Sequence, residues 1–147
     1  MNTTLDLPPR LAEIVEDFRF VEGSDKLELL LQYSENLPAL PASLEGHQAE
    51  MESVPECMTP VSVSAELVDG GLVYHFLVPE ESPTVRGYAA ILAEGLRGAS
   101  PDQVLHLSPD FYLQMGLQSV LTIQRLNGMA SMVAHIKRLA LEKMSCS

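Results

Sequence analysis

A glycine-containing turn between two runs of alternating residues constrains the fold of this 147-residue chain more than any other feature. Apolar residues occupy every second position from 61 to 67 and again from 72 to 78, on either side of Asp69-Gly70. A two-residue turn places all of them on one face of a β-hairpin, with Leu67 opposite Leu72, whereas a three-residue turn would bury Ser64 instead. The sequence therefore predicts an antiparallel hairpin with one buried face.

Helical patterns flank the predicted hairpin. Apolar residues recur at helical spacing from about Pro9 to Phe20, and Ser24 is predicted to cap a second helix. Three Ser-Pro pairs predict further helix starts at Ser82, Ser100 and Ser108. A last helix is predicted to begin near Thr122. Helices on one side of a half-covered antiparallel sheet make an α+β fold.

The composition favours one cytoplasmic domain over residues 1–147. The net charge of −11 argues against binding to nucleic acid or to an anionic membrane, because both carry negative charge. No run approaches the roughly 20 apolar residues of a membrane helix, and residues 1–6 do not resemble a secretory signal. Two widely separated cysteines make no disulfide framework, which favours a reducing compartment.

Cys57 lies in the loop before the first hairpin strand, between Pro55 and Pro60. Three interpretations fit this position. The thiol can be a small buried hydrophobe. It can be a nucleophile with a base such as His47 or His75, although neither falls in a recognisable cysteine-hydrolase signature. It can also accept a sulfur atom and pass it on, which needs a thiolate and a partner protein but no fixed triad.

Metal binding is not predicted. His47, Cys57, His75 and Cys146 lack the paired short spacing of a structural zinc site.

Arg125 falls in the first turn of the last predicted helix, where the helix dipole disfavours a cation. It is therefore either a solvated side chain or one placed to meet a partner.

Four segments together carry a family resemblance. They are VPECMTPV at 54–61, ESPTVRG at 81–87, MGL at 115–117 and LTIQRLNG at 121–128. In order and spacing they resemble the SufE-like sulfur-acceptor family over about residues 9–143. The resemblance implies an α+β fold with a small antiparallel sheet of about three strands, the third near residues 48–54.

The resemblance also implies a function. Such proteins take persulfide sulfur from a PLP-dependent cysteine desulfurase onto a loop cysteine, here Cys57. They pass it to an iron–sulfur cluster scaffold and bind no cofactor themselves. The implied loop and partner-binding residues are Pro55, Glu56, Met58, Thr59 and Arg125.

The chain departs from the family pattern at two positions. Ile123 replaces a proline before the arginine, but Thr122 is still expected to cap the helix. Glu56 stands where glycine often precedes the cysteine. Two other functions stay open, namely a non-catalytic adaptor that activates a desulfurase allosterically and a stand-alone thiol enzyme such as a peroxidase.

Overall fold

The fold is given by a computed structural model, which describes residues 7–47, 50–55, 57 and 59–145. The strands are β1 (Glu52–Ser53), β2 (Ser62–Val68) and β3 (Gly71–Leu77). The helices are α1 (Pro9–Arg19), α2 (Ser24–Ser34), α3 (Pro83–Gly95), α4 (Pro101–Leu105), α5 (Tyr112–Met115) and α6 (Ile123–Ser145). The strands form one antiparallel sheet in the order β1-β2-β3, so the predicted α+β class is confirmed.

The β2–β3 hairpin has the predicted two-residue turn and register, with Val63 opposite Phe76. Asp69 and Gly70 have φ values of +52° and +82°, the left-handed conformation that Asp and Gly tolerate best in tight hairpin turns. The predicted apolar face is buried except at its tip, where Leu67 is 38% exposed. The alternating pattern therefore identifies the face of the sheet that meets the helices.

The third strand is shorter than the expected one. Glu52 pairs with Val63 and Ser53 with Ser62, which makes β1 an edge strand of two residues. Residues 48 and 49 of the expected strand lie outside the described part of the chain. The short strand is important because it leads directly into the loop that carries Cys57.

Helices α3 and α6 pack against the buried face of the sheet. The hydroxyl of Tyr74 on β3 donates to the carbonyl of Ile136 on α6 at 2.9 Å, which ties the two layers together. The predicted apolar stripe of α6 is buried at Leu126, Met129, Val133, Ile136 and Ala140. The N-terminal part of α6 is thereby held against the loop between β1 and β2.

Ser100 and Ser24 give different outcomes as predicted caps. The predicted cap at Ser100 is confirmed, since the Gln103 amide donates to its Oγ at 3.2 Å in a complete capping box. The prediction for Ser24 is wrong. That residue is already helical, and Gly23, with φ of +57°, is the N-cap of α2. The helix therefore begins at Ser24, and its N-cap lies one residue before the predicted one. Glycine adopts the positive φ at this position more readily than serine does.

The prediction of a helix start at Ser108-Pro109 is also wrong. The Ser108 hydroxyl donates to the carboxylate of Asp110, and the Phe111 amide donates to the Ser108 carbonyl at 3.1 Å. These local bonds form a turn, and α5 begins only at Tyr112. Serine side chains compete with helix formation by bonding to their own neighbours.

Candidate functional site

The loop between β1 and β2 is closed at its base by backbone hydrogen bonds. The Val54 amide donates to the Val61 carbonyl at 2.9 Å, and the Cys57 amide turns back to the Val54 carbonyl at 3.3 Å. Pro55 and Pro60 are exposed on either side of Cys57. Two of the candidate loop residues, Glu56 and Met58, lie outside the described residues. The loop thus holds Cys57 next to the sheet edge.

The Cys57 thiol lies against α6 and is half-buried. Its Sγ donates to the carbonyl of Gly128 at 3.4 Å. Gly128 is buried, and a Cβ built on it would lie 3.3 Å from Sγ and 3.5 Å from the Cα of Cys57. The loop approaches the helix this closely because residue 128 has no side chain.

A cavity of about 490 Å³ opens beside the thiol. One wall is apolar and consists of Val85 of α3 with Met129 and Met132 of α6. The polar part of the lining comes from Thr59, Ser82, Thr122, Gln124 and Arg125. The Cys57 thiol therefore lies between an apolar wall and a rim of hydrogen-bonding groups.

Arg125 is exposed at the first turn of α6 and lines the same cavity as Cys57. Its backbone amide donates to Oγ1 of Thr122 at 3.3 Å, so Thr122 caps the helix as expected. Ile123 fills the first helical position with its side chain 76% exposed, and the helix start survives without a proline. Two residues far apart in the sequence thus meet at one cavity.

Thr59 is held to the start of α3 by a contact that sequence reasoning missed. The hydroxyl of Ser82 donates to Oγ1 of Thr59 at 2.8 Å. The predicted helix start at Ser82 is confirmed, since Ser82 is the N-cap of α3 by position, but its side chain makes no cap hydrogen bond. The Ser-Pro pair signals a helix start correctly, but nothing in it identifies a tertiary partner for the hydroxyl.

A cluster of Glu52, His135 and Arg138 links β1 to α6 next to the start of the loop. Oε2 of Glu52 lies 2.5 Å from Nδ1 of His135 and accepts from Nε of Arg138 at 3.0 Å. Burial acts to raise the pKa of the Glu52 carboxyl, but these hydrogen bonds outweigh burial and hold the pKa below its usual range. Glu52 is therefore ionised at neutral pH and fastens the strand that leads into the loop.

The histidines considered as bases, His47 and His75, are not among the described residues that line the cavity beside the thiol. His47 pairs with Glu50 at 2.6 Å and His75 with Glu66 at 3.2 Å. No histidine belongs to the cavity lining that the structure describes. Within the described residues, no group of three or more His, Cys, Asp or Glu side chains is arranged to hold a metal ion. The two candidate bases therefore make no contribution to the described lining around Cys57.

The family model for SufE, described as an Fe-S metabolism associated domain, matches residues 12–140. The chain belongs to the SufE family. This SufE-family chain is 44% identical over 139 residues to an uncharacterized SufE-like protein of Mycobacterium tuberculosis, covering 94% of this chain and 96% of the relative.

Two further comparisons concern the fold and a named relative. The solution structure of a hypothetical protein from Thermus thermophilus matches with a TM-score of 0.83 and 33% identity, covering 95% of this chain and 98% of that one. The cysteine desulfuration protein SufE of Plasmodium falciparum is 25% identical over 137 residues, covering 90% of this chain and 54% of the relative. Among the described residues, every helix is too short or too polar to span a bilayer.

Three of the four segments that resemble the SufE family meet at the cavity. Segments 54–61, 81–87 and 121–128 all contribute to its lining. The fourth, 115–117, has a different environment, because the buried Lys26 donates from Nζ to the Met115 carbonyl at 2.8 Å. Three segments therefore surround the thiol, and the fourth is bonded to Lys26 of α2 instead.

Proposed function

We propose that this SufE-family chain is a sulfur acceptor and carrier. It takes persulfide sulfur from a PLP-dependent cysteine desulfurase onto Cys57, stimulates that enzyme, and passes the sulfur to an iron–sulfur cluster scaffold. The observation that supports this most directly is the half-buried Cys57 thiol in the wall of a cavity built from three of the family segments. The family description and the name of the Plasmodium falciparum relative point the same way.

The proposed step is an exchange between two sulfur atoms. The Cys57 thiolate attacks the outer sulfur of the donor persulfide, and a new S–S bond forms at Sγ. The S–S bond of the donor breaks, and the donor sulfur leaves as a thiolate that takes up the proton Cys57 gave up. No electrons are gained or lost overall, so the step needs no oxidant.

The surroundings of Cys57 favour a carrier over a stand-alone thiol enzyme. Only the thiolate form of a cysteine attacks, so a stand-alone thiol enzyme needs a group that takes up the thiol proton. The described lining of the cavity holds no histidine that could take the proton. A carrier differs from such an enzyme, because its thiol can be activated within the complex with its donor. Thiol chemistry of this kind suits a reducing compartment, and the cytoplasm is the proposed one.

The proposal is tested by loading the protein with sulfur. The chain is incubated with a PLP-dependent cysteine desulfurase and L-cysteine, alkylated, digested and measured by mass spectrometry. The expected result is a mass gain of one sulfur atom on the peptide that contains Cys57. The absence of a gain, or a gain confined to the peptide that contains Cys146, contradicts the proposal.

Arg125 is proposed to contact the desulfurase at the rim of the cavity. Replacing Arg125 with alanine is expected to weaken desulfurase binding about five- to tenfold, because arginine often contributes strongly to protein interfaces and its charge steers association. The dissociation constant is measured by titration calorimetry at low and high salt.

The matched control for this prediction is Arg97→Ala. Arg97 is also exposed, but it lines a small separate cavity beside Tyr74 and His75. The control removes the same charge and is expected to leave binding within about twofold of the wild type. Equal losses in the two variants would show that net charge, and not the position of Arg125, controls binding.

A further inference from the structure

Gly128 makes two contacts with Cys57 that depend on different atoms. Its carbonyl oxygen accepts the thiol hydrogen at 3.4 Å. Its bare Cα leaves room for the cysteine, since a Cβ there would lie 3.3 Å from Sγ and 3.9 Å from the cysteine Cβ. Gly128 lies inside α6, where glycine is disfavoured relative to alanine. The helix thus carries an unfavourable residue at the point where the thiol docks.

We propose that Gly128 is a positioning residue whose carbonyl and bare Cα form a docking site for Cys57, called the seat below. The seat holds Cys57 only while the thiol is protonated and unloaded, and loading with sulfur displaces Cys57 from it. The inference rests on the proposed function, because the displacing atom is the sulfur that Cys57 accepts. It concerns how the two states of the carrier differ, and not whether transfer occurs.

The chemistry of the seat explains why it distinguishes the two states. The hydrogen bond uses the S–H proton, and loading exchanges that proton for a sulfur atom. The loaded Sγ then has no hydrogen to donate, and its lone pairs face the lone pairs of the Gly128 carbonyl. A thiolate meets the same repulsion. The seat therefore accepts the unloaded thiol and rejects both the attacking and the loaded forms.

Lack of space also disfavours the loaded form of Cys57 next to Gly128. A Cβ on residue 128 would already be closer to Sγ than most real contacts, so a larger sulfur atom enters the gap between the thiol and α6 only if the loop moves. The added sulfur must turn toward the cavity beside Arg125 and Met129. Loading thus moves the sulfur from the helix to the side where a partner can reach it.

The first test is Gly128→Ala, with Asn127→Ala as the matched control. Both replace a poorer helix former by alanine at adjacent positions of α6, but Asn127 is exposed and does not line the cavity. The rate of Cys57 alkylation by iodoacetamide is followed on its peptide by mass spectrometry. Gly128→Ala is expected to raise this rate about tenfold, which corresponds to about 1.4 kcal/mol of lost docking. The control is expected to match the wild type.

Thermal unfolding separates this effect from general damage. Gly128→Ala is expected to unfold no more readily than the wild type, since the added methyl group meets mainly a side-chain sulfur on a loop. Faster alkylation with an unchanged melting temperature supports the seat. An unchanged alkylation rate in Gly128→Ala overturns it.

A second measurement needs no substitution at Gly128. Methyl methanethiosulfonate converts the Cys57 thiol of the wild type into a methyl disulfide, which adds a sulfur atom to Sγ. Hydrogen exchange of the Cys57 amide, which donates to the Val54 carbonyl, is expected to become several-fold faster. Unchanged exchange overturns the inference. Neither measurement uses a desulfurase, so the seat and the sulfur-carrier function can fail separately.

Discussion

Replacing Cys57 with serine will abolish sulfur acceptance and leave desulfurase binding nearly intact. A hydroxyl is a far weaker nucleophile toward sulfur than a thiolate, so we expect at least about a hundredfold loss in the rate of persulfide formation on the chain. The serine hydroxyl can donate to the Gly128 carbonyl after a small closing of the loop, since the longer thiol side chain now spans 3.4 Å to that oxygen. The loop should therefore dock as before, and the dissociation constant is expected to stay within about twofold.

The assay measures both the loading of the chain and the stimulation of the desulfurase. Cys146→Ser is the matched control, because it removes the other thiol of the chain, and it is expected to behave as the wild type. Full stimulation by Cys57→Ser would contradict the sulfur-acceptor proposal and support the allosteric adaptor. Turnover of a thiol substrate by the wild type without any partner would support a stand-alone enzyme.

The hairpin could be predicted in detail because its pattern depends on local geometry alone. Side chains alternate across a strand, and a two-residue turn with left-handed Asp69 and Gly70 permits only one register. Helix starts were predicted less well, since a serine before proline is only a local preference. Ser100 follows that preference, but the hydroxyl of Ser82 donates instead to Thr59, which approaches from another part of the chain.

The candidate site shows the same division between local and tertiary information. Cys57 was identified by its flanking prolines, and Arg125 by its unfavourable place in a first helical turn. Their meeting at one cavity depends on how α6 packs beside the β1–β2 loop, which no local pattern describes. Gly128 was missed as a contact of the thiol. The available signal was a glycine inside a strong helical pattern, which often marks a close approach.

Replacing Gly87 with alanine will destabilise the fold, in contrast to the same change at Gly128. Gly87 is buried in α3, and a Cβ there would lie 2.2 Å from the carbonyl oxygen of Leu30 on α2. That atom belongs to a helix backbone, so it cannot turn aside, and the two helices must separate. Overpacking of this kind costs about 3 kcal/mol, and alanine returns about 1 kcal/mol as the better helix former.

The expected net loss in the free energy of unfolding is therefore about 2 kcal/mol, or a fall in melting temperature of about 6 °C for a chain of this size. Urea denaturation at constant m-value measures it, and Gly128→Ala serves as the control because it makes the same substitution in another helix. The two sites differ in what the methyl group meets, which is a backbone carbonyl at Gly87 and a loop thiol at Gly128. If Gly87→Ala were as stable as the wild type, α2 and α3 would have room to separate at little cost, and close packing at Gly87 could not be what holds them together.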